Sequence, residues 1–274
     1  MVTLGKAFKI SLGVMIAILI YSFVLPLFSP YEDPMAWNLA PKDQPPSLNH
    51  PFGTTSLGQD VFWLTSFALR NSIIFGTITG VIAIATALMI GTLAGAAPGR
   101  ISVALSFVMD SFCVLPALPI IILLGTLWRG RMSVIMLALF LSLFGWAWPA
   151  RIIRSVVLSV RERGFAYIAH FSGYRQWEII RDIYLPYVYA LVLMNMLNVI
   201  IWAIGMETTL AIFGLTTLGL PTVGTSIFWA MNYLAIPRGI WWWLFFPILF
   251  LMMFIVALYV ISREIYVRML GRGV

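Results

Sequence analysis

The chain has 274 residues, 61% of them hydrophobic and only 10% charged, with a formal net charge of +7 and a mean hydropathy of +0.97. Water-soluble domains run at roughly 45–50% apolar and about 25% charged residues, so this composition excludes one and defines a polytopic membrane protein. The single cysteine, Cys113, excludes a disulfide framework and a thiolate metal cluster.

A membrane-crossing helix needs about 20 mostly apolar residues. Six windows qualify, at 8–28, 72–97, 102–127, 133–150, 188–212 and 240–262. They are predicted as helices, because backbone in lipid must satisfy its own hydrogen bonds and the short alternating segments of a barrel are absent. The fold class is therefore an all-α membrane protein with six transmembrane helices. The first window follows Lys6 and Lys9 but leads into Ser29-Pro30 and not into a small-residue cleavage site, so it reads as a retained span.

With the N-terminus inside, twelve Lys and Arg fall on the inner side and five on the outer side. That bias predicts both termini and the 161–186 loop in the cytoplasm, with Trp241, Trp242 and Trp243 as an aromatic belt at the outer end of the last span. The basic pI near 9.8 follows from this topology and calls for no nucleic-acid partner. The expected organisation is a first span with an external strap (1–70), a transmembrane core (71–262) and a cytoplasmic tail (263–274).

Within the strap, Pro30, Pro34, Pro41, Pro45 and Pro46 predict irregular extended chain. A second external loop, 213–238, carries glycines and Pro221 and is expected to be re-entrant or to lie on the surface. Pro116 and Pro119 predict a kink in the third span. In the second, the small pairs Gly76/Gly80 and Gly91/Gly95 permit close helix approach.

No catalytic constellation is present. His50 and His170 are far apart, and HExxH, GxSxG and P-loop patterns are missing, so neither a catalytic residue nor a metal site is expected. Two carboxylates fall at membrane depth, Asp110 and Glu207. Such groups are costly in lipid and either line a wet route or bond neighbouring structure. For Glu207 the second reading places it already near the interface or bonds it to backbone of the 213–238 loop.

The 161–186 loop, RERGFAYIAHFSGYRQWEIIRDIYLP, is longer than a turn requires. It reads as a short apolar-aromatic helix, Phe165, Ala166, Tyr167, Ile168, Ala169, His170 and Phe171, broken at Ser172-Gly173. A second helix, from Tyr174 to Tyr184, is expected to end before Pro186. An apolar face in such a loop fits a docking surface for a partner protein, and equally a helix lying on lipid headgroups.

Three stretches resemble one family. Gly173 through Leu185-Pro186, with Ile179 and Ala169 at its apolar and alanine sites, is similar to the EAA loop of ABC importer permeases. His50-Pro51-Phe52-Gly53-Thr54 followed by Leu57-Gly58-Gln59-Asp60-Val61-Phe62 resembles the HPxGTxxLGxDVF segment of the dipeptide, oligopeptide and nickel group. The run Glu207 to Leu215 is similar to that group's stretch in the fifth span. The chain departs from the pattern at Tyr167-Ile168-Ala169, which stands for Glu-Ala-Ala, and at Ile183-Tyr184, where a histidine is usual. Thr55 and Gln59 stand for Asp and Arg.

The resemblance implies a type I ABC importer permease fold (MetI-like) in the cell membrane. Phe165 to Phe171, with Gly173 and Tyr174, would dock as a coupling helix on one of two separate ATP-binding subunits, where ATP and Mg would be held; this chain would bind no cofactor. It further implies a second homologous permease subunit and an external substrate-binding protein, met by His50, Pro51, Phe52, Gly53, Thr54 and Asp60. Asp110 and Glu207 become candidates for the translocation path. Peptides are the expected cargo, with oligosaccharides as the alternative and nickel last, since histidine-lined surfaces are missing. A membrane enzyme would need a catalytic cluster, and a non-transporting scaffold would not need a hinged loop.

Overall fold

The computed structural model describes residues 6–127 and 133–270. Among them the chain is helical, with one isolated antiparallel bridge between Thr54 and Asp60. Five helices are long and apolar enough to cross a membrane, and a bent pair supplies a sixth.

Helix α1, Lys6–Leu19, continues through a π-helical turn, Ile20–Val24, and a 3-10 turn, Leu25–Phe28. Pro26 explains the change of winding: it has no N–H, and its ring would collide with the carbonyl four residues back in a regular helix. The strap that follows is irregular, as its prolines require. Helix α2, Val61–Ala96, starts well before the expected residue 72. Ser66, Arg70 and Asn71 break the apolar window there, but the fold satisfies them. Ser66 donates to the Trp63 carbonyl at 2.8 Å, Asn71 to the Pro221 carbonyl at 2.8 Å, and Arg70 lies over the Phe67 ring at 4.8 Å.

Helices α3, Gly99–Val114, and α4, Ala117–Leu127, form the third span and are bent by 73° at Pro116. The fourth span, α5, Val134–Gly145, and α6, Ala147–Arg161, does not close at residue 150. Hydropathy falls there while helical periodicity persists, since Ala150, Ile153, Val157 and Val160 are buried on one face. Helix α7, Gly164–Phe171, is the short helix of the polar loop.

The expected helix stop before Pro186 is absent. Helix α8, Gln176–Ile179, passes through a π-helical turn, Ile180–Tyr184, into α9, Leu185–Ile212. The wider turn, closed by the Leu185 N–H on the Ile180 carbonyl, makes room for the proline ring, so the helix continues where a regular one would break. The 213–238 loop contains a capped helix, α10, Val223–Asn232. Helix α11, Trp242–Leu270, runs past the tail boundary expected at 262.

The chain divides into two compact units, one of Met1–Gly76, Ile121–Leu137 and Ile204–Ile261, the other of Thr77–Ile120, Ala138–Ala203 and Ser262–Val274. In the first, Phe52 stacks on Phe246 with centroids 4.0 Å apart, and Tyr21 stacks on Phe250 at 4.7 Å while its hydroxyl donates to the Phe62 carbonyl at 2.6 Å. Trp242 and Trp243 belong to this core with Leu57 and Val61, which corrects the expected interface belt: only Trp241 is exposed. In the second unit, α2, α6 and α9 approach closely through glycines. A Cβ on Gly91 would stand 2.5 Å from the Ala150 carbonyl, one on Gly95 2.6 Å from Val157, and one on Gly80 2.7 Å from Ile200.

Candidate functional site

Helix α7 is held by its neighbours. The last carbonyls of α2 have no partners within their own helix. Arg161, at the end of α6, donates to the carbonyls of Gly95 at 3.1 Å and Ala97 at 3.3 Å, and Gln176, at the start of α8, donates to that of Ala96 at 3.3 Å. The positive guanidinium also suits the negative end of the α2 dipole. Both flanks of α7 are thereby fastened to one helix end. The chain leaves α7 through Gly173 at φ +81°, a left-handed conformation, and the Tyr174 N–H closes onto the Ala169 carbonyl at 3.3 Å. The Arg175 N–H then meets the Glu178 carboxylate at 2.7 Å, starting α8.

On this mount Ala169 turns partly into the core, while Ile168 is 67% exposed, Phe171 90% and Trp177 65%, with Tyr174 also exposed. The side chains of Phe165, Ala166, Tyr167 and His170 lie outside the described residues.

The HPxGTxxLGxDVF segment is a folded knot. Gly53 at φ +75° and Gly58 at φ +73° reverse the chain, and a Cβ on Gly53 would strike the Trp242 indole at 2.6 Å. The buried Thr55 hydroxyl oxygen accepts from the N–H groups of Leu57 at 3.2 Å and Gln59 at 3.1 Å. Gln59 reaches back to the Met35 carbonyl at 2.7 Å, and Thr54 to that of Pro41 at 2.6 Å. His50 Nδ1 lies 2.7 Å from Asp60 Oδ2, and the other oxygen of Asp60 caps the Phe62 N–H at 2.9 Å, where α2 begins. Gly53, Thr54 and Asp60 are buried and Phe52 is in the aromatic core. Of the six residues singled out in the sequence, Pro51 is the exposed one and His50 is half-buried.

Glu207 is 3% exposed. Its Oε1 accepts from the Thr222 hydroxyl at 2.7 Å, and Thr222 caps α10 by accepting from the Thr225 N–H at 3.1 Å. A carboxylate in α9 thus fixes the start of α10 through a side-chain hydroxyl of the 213–238 loop, where the sequence pointed to loop backbone. Its Oε2 has no hydrogen-bond partner among the described residues, and neither has Thr216 Oγ1. Both residues line a cavity of about 10 Å³, the lower edge of what one water requires.

Asp110 belongs to the other unit. Its carboxylate lies 3.6 Å from the Arg151 guanidinium, and each side chain is 56% exposed. Beside this pair is a groove of about 510 Å³, whose lining includes Phe112, Cys113, Trp148, Asn195, Asn198 and Trp202. That size is ordinary for a small-molecule site. Sequence reasoning missed Arg151, Asn195 and Asn198. Arg151 was counted as a loop cation because hydropathy ends at 150; the apolar period that continues to Val160 was the available signal. The asparagines carry no charge and lie in an otherwise apolar run.

Helices of span length, an open groove beside a charge pair and exposed apolar side chains on a loop helix define the class as a multi-pass membrane protein. The chain belongs to the family described as the binding-protein-dependent transport system inner membrane component, which matches residues 87–273. It is 30% identical over 237 residues to the dipeptide transport system permease protein DppC of Bacillus subtilis, covering 85% of this chain and 73% of that protein. It is 28% identical over 211 residues to the oligopeptide transport system permease protein OppC of Mycobacterium tuberculosis (strain ATCC 25618 / H37Rv), covering 77% of this chain and 72% of the relative. The nickel transport system permease protein NikC of Escherichia coli K12 is 34% identical over 147 residues, covering 53% of this chain and 51% of its own length. The chain is therefore an ABC importer permease of the dipeptide, oligopeptide and nickel type, placed in the cell membrane.

Proposed function

We propose that this chain forms the transmembrane half-channel of an ATP-driven importer of dipeptides or oligopeptides, which an external binding protein delivers. The observation that carries the reading is α7, whose exposed Ile168 and Phe171 are mounted through Arg161 and Gln176 on the end of α2. A groove on a partner ATP-binding subunit covers that face and gives its apolar area a reason. Two such subunits hold ATP and Mg, and their closure pushes α7. The spans then alternate between outward- and inward-open states, a two-state element biased by a ligand. A second homologous permease completes the pathway, and the face around Pro51 and His50 is where the binding protein is met. The relatives named for dipeptides and oligopeptides favour peptide cargo over oligosaccharide or nickel.

The test is co-purification. Solubilised wild-type protein should carry an ATP-hydrolysing subunit, and Phe171→Asp should insert normally yet lose it. Retention of the ATPase by Phe171→Asp would remove the docking role of α7.

A further inference from the structure

Asp110 stands ten residues along α3 from Arg100, and Arg151 ten residues along α6 from Arg161. At 1.5 Å of rise per residue each lies about 15 Å of helix from that cationic end. Both therefore sit inside the length of a span, where charges face water or protein and not lipid. Yet each is half-exposed, and 3.6 Å is well beyond the length of a charge-assisted hydrogen bond. The pair is close without being locked, so each member keeps bonding capacity for a third group. One turn along the same helix faces, Cys113 follows Asp110 and Trp148 precedes Arg151, and both line the groove. The charge pair therefore stands at the groove's edge.

We infer that this groove reads zwitterionic peptides in transit, with Asp110 taking the terminal ammonium and Arg151 the terminal carboxylate in place of each other. The inference rests on the permease reading and sharpens its cargo. The guanidinium fork suits a carboxylate, the exposed Asn198 amide offers a donor and an acceptor to a peptide bond, and Trp148 and Trp202 supply apolar walls. A neutral oligosaccharide would leave both charges without a counterpart. A nickel ion would need several imidazole or carboxylate ligands, and the described residues contain no group of three His, Cys, Asp or Glu able to hold a metal.

Cys113 is the chain's only cysteine and reports on the groove directly. In the assembled importer it should react with a polar maleimide, and free trialanine should slow the reaction while N-acetyl-trialanine amide should not. Asp110→Asn and Arg151→Gln should each raise the trialanine concentration for half-protection about tenfold, the ratio expected when one charge-assisted hydrogen bond to the peptide is removed. Recovery of each variant in the intact complex verifies folding. Protection by both peptides alike, or protection unchanged in both variants, overturns the inference. An unreactive Cys113 in particles that still take up peptide with ATP overturns it too, and leaves the permease reading standing. If no peptide is taken up with ATP, the peptide reading itself falls and this inference with it.

Discussion

At the scale of single residues, glycine does its work through missing volume at some positions and through backbone angle at others. Gly91 and Gly95 allow α2 and α6 to touch, and a side chain there meets carbonyl and β-branched atoms that have nowhere to move. Gly91→Leu should cost about 1–3 kcal/mol through overpacking, seen as a lower melting temperature in detergent. Gly164→Ala, which meets open space, should melt like wild type. Glu207 is a different case, because one of its oxygens has a partner and the other does not. Glu207→Gln keeps an acceptor for the Thr222 hydroxyl and should fold normally. Glu207→Ala leaves Thr222 without it and should lose about 1–3 kcal/mol, with faster proteolysis in the 213–222 segment as the readout.

At the scale of elements, two short pieces are tied down by side-chain bonds to backbone, which in the strap close on its own carbonyls and beside α7 run from its flanks to the end of α2. The strap between α1 and α2 is held by Thr54, Thr55 and Gln59, with Arg238 closing on Asp43 at 2.6 Å and Ser56 at 2.9 Å. Loop helix α7 is held by Arg161 and Gln176. Arg161→Gln should therefore leave insertion and ATPase binding intact while uncoupling hydrolysis from uptake, because α7 remains exposed but no longer pulls on α2. Tight coupling in that variant would show that the mount transmits nothing. The π-helical turn ahead of Pro186 belongs to this scale as well, since it lets a helix pass a residue that otherwise ends it, whereas the one ahead of Pro26 leads only into a closing 3-10 turn.

At the scale of the whole molecule, the distribution of Lys and Arg makes a prediction about sidedness. In a Cys113→Ser background, a cysteine at Trp37 should be labelled by an impermeant maleimide added outside intact cells, and one at Ile168 only after the membrane is opened. Both positions are exposed on this chain, and opened membranes are stripped of ATPase subunits before labelling so that a docked partner does not hide position 168. Labelling of the Ile168 position from outside would invert the topology and place α7 where no ATPase could reach it.

Class, span number and the short loop helix were legible along the chain, because hydropathy and helical period are local properties that survive without knowing the neighbours. The bend at Pro116 was legible for the same reason. Helix ends were not, since Arg70, Asn71, Arg151 and Pro186 look like interruptions until their partners or a widened turn are in view. The Trp241 to Trp243 run reads as a belt in one dimension, yet two of the three are core residues. Asp110 was visible as a costly charge, but its counterpart Arg151 is on another helix. Pairing between residues far apart in sequence is decided by packing, and only the tertiary structure contains it.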